Sequence, residues 1–236
     1  MRARWPWTGS GHGPLPPLLV LLTVGTGLVD AVSYLALGHV FVANMTGNVV
    51  FLGFALAGAP GFSVAASLAA LAAFLVGAVV GGRLGVRVGG HRGRDLRGSS
   101  VTSAALVLLA VAIAAVAGQP VAQAARYGLI VSLALALGIQ NATARRLAVP
   151  DLTTTVLTLT LAGVAADSRL AGGPGGHPSR RIISASAMFV GALIGALLII
   201  NVDLVLPLAI AAALMIVTAV VVHELSEENS EWARRE

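Results

Sequence analysis

Asp30 is the residue whose chemistry most needs an account. It stands inside the first apolar stretch of the chain, with Gly25, Gly27 and Leu28 before it and Val32 and Tyr34 after it. An ionisable group at membrane depth is costly, and it usually faces a cavity, a partner or a pathway. Asp30 therefore offers a proton or cation site, or a charge partner for a solute. The plainer reading is a carboxylate hydrogen-bonded to its own neighbours. Asn44, Thr46 and Asn48 follow at i, i+2 and i+4, and Gly47 among them permits an opened or closely packed backbone. On a helix, Asn44 and Asn48 would share one face and could present amides to a polar solute or an ion. They could equally bond neighbouring helices together. Gln140 with Asn141, then Thr154, Thr155 and Thr158, form a similar polar group later in the chain. Threonine hydroxyls commonly bond their own helix carbonyls, which is the plain reading for that stretch.

Other chemistries find no residues to perform them. Cysteine is absent, which excludes disulfides, thiolate catalysis and cysteine-based metal sites. The five histidines, at 12, 39, 91, 177 and 223, are far apart. There is no H-E-x-x-H, no G-x-S-x-G and no P-loop. The expectation is a protein that is not an enzyme and holds no cofactor and no metal. His39, beside Gly38, reads as interfacial, and Asp203 with Asn201 reads as the start of the last span. Gly77, Gly81, Gly82 and Gly85 have the spacing of close helix packing.

The elements that must position these residues are membrane helices. Apolar residues make up 57% of the chain and charged residues 11%, whereas a soluble domain carries about a quarter charged residues. All 15 basic residues are arginine, and they cluster at segment ends rather than forming a basic domain, which argues against a nucleic-acid partner. The bilayer itself is the expected partner. Eight apolar segments can be drawn: 16–38, 40–58, 62–88, 101–118, 123–144, 151–167, 182–200 and 203–223. Arg2 and Arg4 ahead of the run from Leu15 to Val29 resemble a signal peptide. That run continues past Asp30 to Leu37 with no small-residue cleavage site, so it reads as an uncleaved first span.

Arginine placement decides how many segments cross. If all eight did, arginines would divide eight inside against seven outside, which is no bias. If 40–58 and 151–167 enter and leave on one side, fourteen lie inside with both termini and only Arg126 lies outside. The positive-inside rule favours the second arrangement. The expected fold is all-α: a polytopic membrane bundle of about six spanning helices plus two short broken or re-entrant helices.

An internal repeat accompanies this count. Gly27-Leu28-Val29-Asp30-Ala31 matches Gly138-Ile139-Gln140-Asn141-Ala142 at an offset of 111 residues, and a threonine-bearing apolar segment follows each. With three spans per half, the second copy is expected to be inverted, a recurrent transporter design. The expected organisation is a tail at 1–14, one transmembrane domain at 15–223 with halves of about 15–118 and 123–223, and a tail at 224–236.

The run from Gly27 to Asn48, with Asp30, Ser33, Tyr34, Gly38, Phe41, Asn44, Thr46 and Gly47 in place, resembles the signature of the YoaK family of bacterial membrane proteins, a family of unknown function. Ala136 to Ala142, with Arg145, Arg146 and the 153–160 threonines, resembles its second signature. Leu159 departs from it where a glycine would be expected after Thr158. The likeness covers roughly 18–223 and implies a multi-pass protein of the bacterial cytoplasmic membrane, with no established substrate. The residues point to a secondary transporter or permease for a small solute or ion. Asp30, Asn44, Thr46 and Asn48 would meet Gln140, Asn141, Thr155 and Thr158 at the repeat interface. The alternative is a non-transporting scaffold whose polar residues only pack helices. Oligomeric state is not legible.

Overall fold

The computed structural model describes residues 11–118, 121–150, 162, 165–166, 172, 178–226 and 231–233. These residues form seven α-helices: α1 (Leu15–Ala36), α2 (Met45–Leu56), α3 (Val64–Arg87), α4 (Arg92–Ala117), α5 (Gln123–Leu147), α6 (Pro178–Asn201) and α7 (Val205–Leu225), with a short 3-10 turn at Glu231–Ala233. Six are long and apolar enough to cross a membrane. The shortest, α7, has 21 residues, about 32 Å at the helical rise against a hydrocarbon core of about 30 Å. The 12 residues of α2 give about 18 Å, too short to cross. The chain is a polytopic all-α membrane protein. The second short segment expected at 151–167 lies outside the described residues.

Local signals explain several helix starts. Prolines occupy the first turn of α1, where a missing N–H costs nothing. The Ser63 side chain caps α3 by accepting from Ala66 N at 3.3 Å. Asp203 caps α7 by accepting from Val205 N and Leu206 N at 3.0 and 2.8 Å. Helix α4 starts nine residues before the apolar segment at 101–118. Its first turns carry Arg94 and Arg97 on the exposed side while Asp95, Leu96, Ser99 and Ser100 turn inward. An amphipathic entry of this kind is invisible to a count of uninterrupted apolar residues.

The helices pack in a definite order. Helix α3 lies on α5, α1 on α6 and α4 on α7; α4 also touches α5 and α1 also touches α7, while α1 and α5 meet only sparsely. Helices α1 and α5 are the most enclosed of the six spans. Helices α3 and α6 instead present large apolar side chains outward, such as Leu75 and Val79 or Phe189, Leu193 and Leu197, as a lipid-facing surface requires.

Glycines set the two closest seams. A Cβ on Gly77 would overlap the backbone of Leu135, and one on Gly81 the backbone of Ile139. One on Gly138 would overlap Phe74 and Ala78. On the α1–α6 seam, Gly191 lies against Val24, Gly195 against Leu28 and Ala31, and Gly27 against Met188 and Ala192. Without a hydrophobic drive between helices in lipid, such small-residue contacts are what let backbones approach. Gly82, by contrast, faces open space and takes no part.

The described arginines segregate by end. Arg92 bonds the Leu147 carbonyl at 2.7 Å, Arg146 bonds Asp95, and Gly85 lies beneath Arg146. The end of α3, the start of α4 and the end of α5 therefore share one end of the bundle, with Arg83, Arg87, Arg94, Arg97 and Arg145 exposed there. Arg126 lies at the other end, against Gly38.

Candidate functional site

The chain between α1 and α2 turns back into the bundle. After Ala36 the segment from Gly38 to Asn44 runs alongside α1, and its backbone meets Asp30, about 9 Å below the end of α1 by helical rise. Helix α2 then returns, and the His39 imidazole Nδ1 lies 3.1 Å from the Gly61 carbonyl oxygen. Entry and exit are thus tied together at one end, which is the geometry of a re-entrant element. Non-helical backbone at such depth must be satisfied inside the protein.

Asp30 and Asn48 satisfy it. One carboxylate oxygen of Asp30, Oδ1, accepts from Val42 N at 3.2 Å and Ala43 N at 3.1 Å. The other, Oδ2, accepts from the Asn44 side-chain amide. The N-terminus of α2, the positive end of its dipole, begins one residue later, with Met45 N donating to the Ala43 carbonyl and Gly47 N to that of Asn44. Asn48 serves Phe41: its Oδ1 accepts from Phe41 N at 2.9 Å and its Nδ2 donates to the Phe41 carbonyl at 2.6 Å. Asn44 is the N-cap of α2 rather than part of it, so the two asparagines do not form one helix face. Gly47 leaves room for the Phe41 ring. Tyr34, Phe41, Phe51 and Phe62 stack around α2, with successive ring centroids 5.1, 5.6 and 5.2 Å apart.

Asp30 also belongs to a buried polar stripe on α1: Thr23, Thr26, Asp30 and Ser33, at i, i+3, i+7 and i+10. Thr23 and Thr26 donate to the Leu19 and Leu22 carbonyls at 2.8 and 3.0 Å. Across the sparse α1–α5 contact, Gln140 donates its Nε2 to Thr26 Oγ1 at 3.0 Å. The Gln140 Oε1 atom is buried without a hydrogen-bond partner among the described residues, as is Ser100 Oγ on α4. Asn141 donates to the Leu137 carbonyl at 2.9 Å.

The eight residues singled out in the sequence therefore separate. Asp30, Asn44 and Asn48 come together, and Gln140 reaches α1 one turn from Asp30. Thr46 is exposed on α2, away from them. Thr155 and Thr158 lie outside the described residues. Thr26 and Ser100 were missed. Thr26 was legible through the four-residue polar stripe, whereas nothing in sequence separates Ser100 from Ser99 or Ser103. Asp95 was also passed over inside the arginine cluster. It pairs with Arg146 through two bonds of 2.7 and 3.0 Å, with Thr143 Oγ1 accepting from the same guanidinium at 3.1 Å. A lone acid in a basic run is the signal that could have found it. Among the described residues, no three potential metal ligands cluster.

Residues 18–221 match the model of a family described as a protein of unknown function, DUF1275. The chain is 37% identical over 151 residues to the UPF0700 transmembrane protein YoaK of Bacillus subtilis (strain 168). That match covers 64% of this chain and 65% of the relative, so the chain spans just under two thirds of that protein's length. No solved structure matches the chain.

Proposed function

This chain belongs to the DUF1275 family of proteins of unknown function, and from that premise we propose that it is a secondary transporter or permease for a small solute, acting where two inverted repeats cross. The observation that carries the reading is the register of the glycine seams. Adding 111 to Val24, Gly27, Leu28 and Ala31 of α1 gives Leu135, Gly138, Ile139 and Ala142 of α5. Adding 114 to Phe74, Gly77, Ala78 and Gly81 of α3 gives Met188, Gly191, Ala192 and Gly195 of α6. Contact for contact, the α3–α5 seam and the α1–α6 seam are the same seam. On this reading α5 repeats α1, α6 repeats α3 and α7 repeats α4.

The halves exchange their first helices: α5 packs with α3 and α4, and α1 packs with α6 and α7. The two trios meet through α4 with α7 and through the sparse α1–α5 contact. Inverted repeats with short helices starting inside the membrane are a recurrent transporter architecture, with the site at the repeat interface. We place the protein in the bacterial cytoplasmic membrane with both ends cytoplasmic, on the strength of the arginines gathered at one end. No enzymatic activity is assigned to it.

The test is uptake into liposomes carrying the purified protein, across a broad panel of small solutes. Uptake that Asp30→Asn alters is expected; no uptake and no binding anywhere in the panel would count decisively against transport. A second reading, a non-transporting scaffold, draws on one observation: both Asp30 oxygens and both polar atoms of Asn48 are engaged with the chain itself. It is favoured if Asp30→Asn and Asn48→Ala lower thermal stability and change nothing else.

A further inference from the structure

The register of α4 against α5 brings two unpartnered buried atoms to one level. The helices are antiparallel, tied by Asp95 to Arg146 and, further along, by Ser103 Oγ donating to the Ala136 carbonyl at 2.9 Å. Between these ties the register sets Ser100 at the level of Gln140. Ser100 shares a helix face with Ser103, the residue that reaches α5. Ser100 Oγ and Gln140 Oε1 are the buried side-chain atoms of the described spanning core left without partners at this level.

The orientation of the Gln140 amide follows from its neighbour. The Thr26 hydroxyl gives its proton to the Leu22 carbonyl, so it can only accept from Gln140. This places Nε2 on Thr26 and turns Oε1 away from it. Reversing the amide would set two oxygens together and strand Nε2 instead. A buried carbonyl oxygen without a donor carries its full desolvation penalty, and something must supply the missing interaction.

The surrounding charge selects what that is. Every described arginine lies at an end of the bundle, and no described histidine lies at this level. Asp30 stands one turn along α1 from Thr26, with its oxygens already accepting hydrogen bonds. The level offers neutral oxygens and one nearby carboxylate, which disfavours an anion. A divalent ion demands more anionic ligands than these.

We infer that Gln140 Oε1 and Ser100 Oγ are ligand atoms of a site for a small monovalent cation, at the level where α5 touches α4 on one side and α1 on the other. This rests on the transport reading above and names the chemistry of its site.

The full chain in detergent micelles is unfolded thermally in the chlorides of sodium, ammonium, potassium and choline at equal ionic strength. A saturable rise in Tm with one small cation over choline is expected, and the sodium and ammonium arms tell a metal ion from a protonated nitrogen. Gln140→Leu should raise the half-saturating concentration by about tenfold or more, the worth of a hydrogen bond to a charged group. Ser100→Ala should raise it less, and it removes only one oxygen if Gln140→Leu proves hard to purify. Equal Tm in all four salts, as when ordered water fills the site, overturns the inference; so does a cation shift unchanged in both variants. Cation binding without uptake in liposomes would remove the transport reading and keep the site. Solute uptake indifferent to all cations would do the reverse.

Discussion

The re-entrant segment around Asp30 and the stretch of α5 around Gln140, which the proposed repeat sets at matching places, use their polar groups in opposite ways. In the first, the polar side chains engage the backbone and one another: Asp30 accepts from Val42 N, Ala43 N and the Asn44 amide, and Asn48 holds both groups of Phe41. In the second, Gln140 holds one neighbour and leaves an oxygen idle, and Asn141 stands where the repeat would put a carboxylate. A shared backbone register does not carry shared chemistry with it. The costly charge is spent on architecture, and the neutral amide is the one left available. Burial alone does not separate them, since Asp30 and Gln140 are equally enclosed.

That contrast rests first on the common register, and the largest expected effect tests it. Gly27→Leu and Gly138→Leu each drive a side chain into the facing helix backbone. Each should cost about 4 kcal/mol or more, beyond ordinary overpacking, read as loss of monodisperse protein after extraction. If only one of the two were damaging, the equivalence of the seams would fail. Next, Asp30→Ala strands two N–H groups and the Asn44 amide at depth, and should cost about 3 kcal/mol in thermal unfolding.

Asp30→Asn should cost about half as much, because the new amide turns a donor toward Asn44. Adding Asn44→Asp should restore part of the loss in a double-mutant cycle. No coupling between the two would mean that the contact matters little. Asp95→Asn keeps one hydrogen bond to Arg146 and should cost about 1 kcal/mol, with little dependence on salt because the pair is partly buried. Gln140→Leu removes the unpartnered Oε1 together with the Nε2 bond to Thr26, whose hydroxyl still donates to Leu22, and in choline chloride it should cost no more than about 1 kcal/mol. A large loss there would show that the amide is structural after all and erase the difference between the two regions.

Much of this was legible beforehand. Apolar runs and arginine positions point to six crossings, because bilayer thickness and charge placement act on composition alone. Asp30 stands out for the same reason. Its role does not, because the donors that engage it belong to a segment whose return path depends on the His39–Gly61 tie and the stacking of Phe41. The start of α4 escapes notice because Asp95 is masked by arginines until Arg146 comes beside it. Gln140 stands out by type, although which of its atoms is engaged does not, and Ser100 looks like any small polar residue in lipid. Only the antiparallel register of α4 and α5 puts Ser100 Oγ and Gln140 Oε1 at one level, each without a partner.

The packing of α1 on α6 and α7 has a consequence for synthesis. Helix α1 precedes the other spans described, yet the surfaces it packs on belong to α6 and α7, which are made long after it. Through most of translation it must wait beside lipid with a carboxylate on its flank. The segment that engages that carboxylate is the next piece of chain to emerge, and it needs no distant partner to close on Asp30. The re-entrant turn can therefore serve as a built-in holding device, shielding the charge until the ribosome delivers the helices that enclose it.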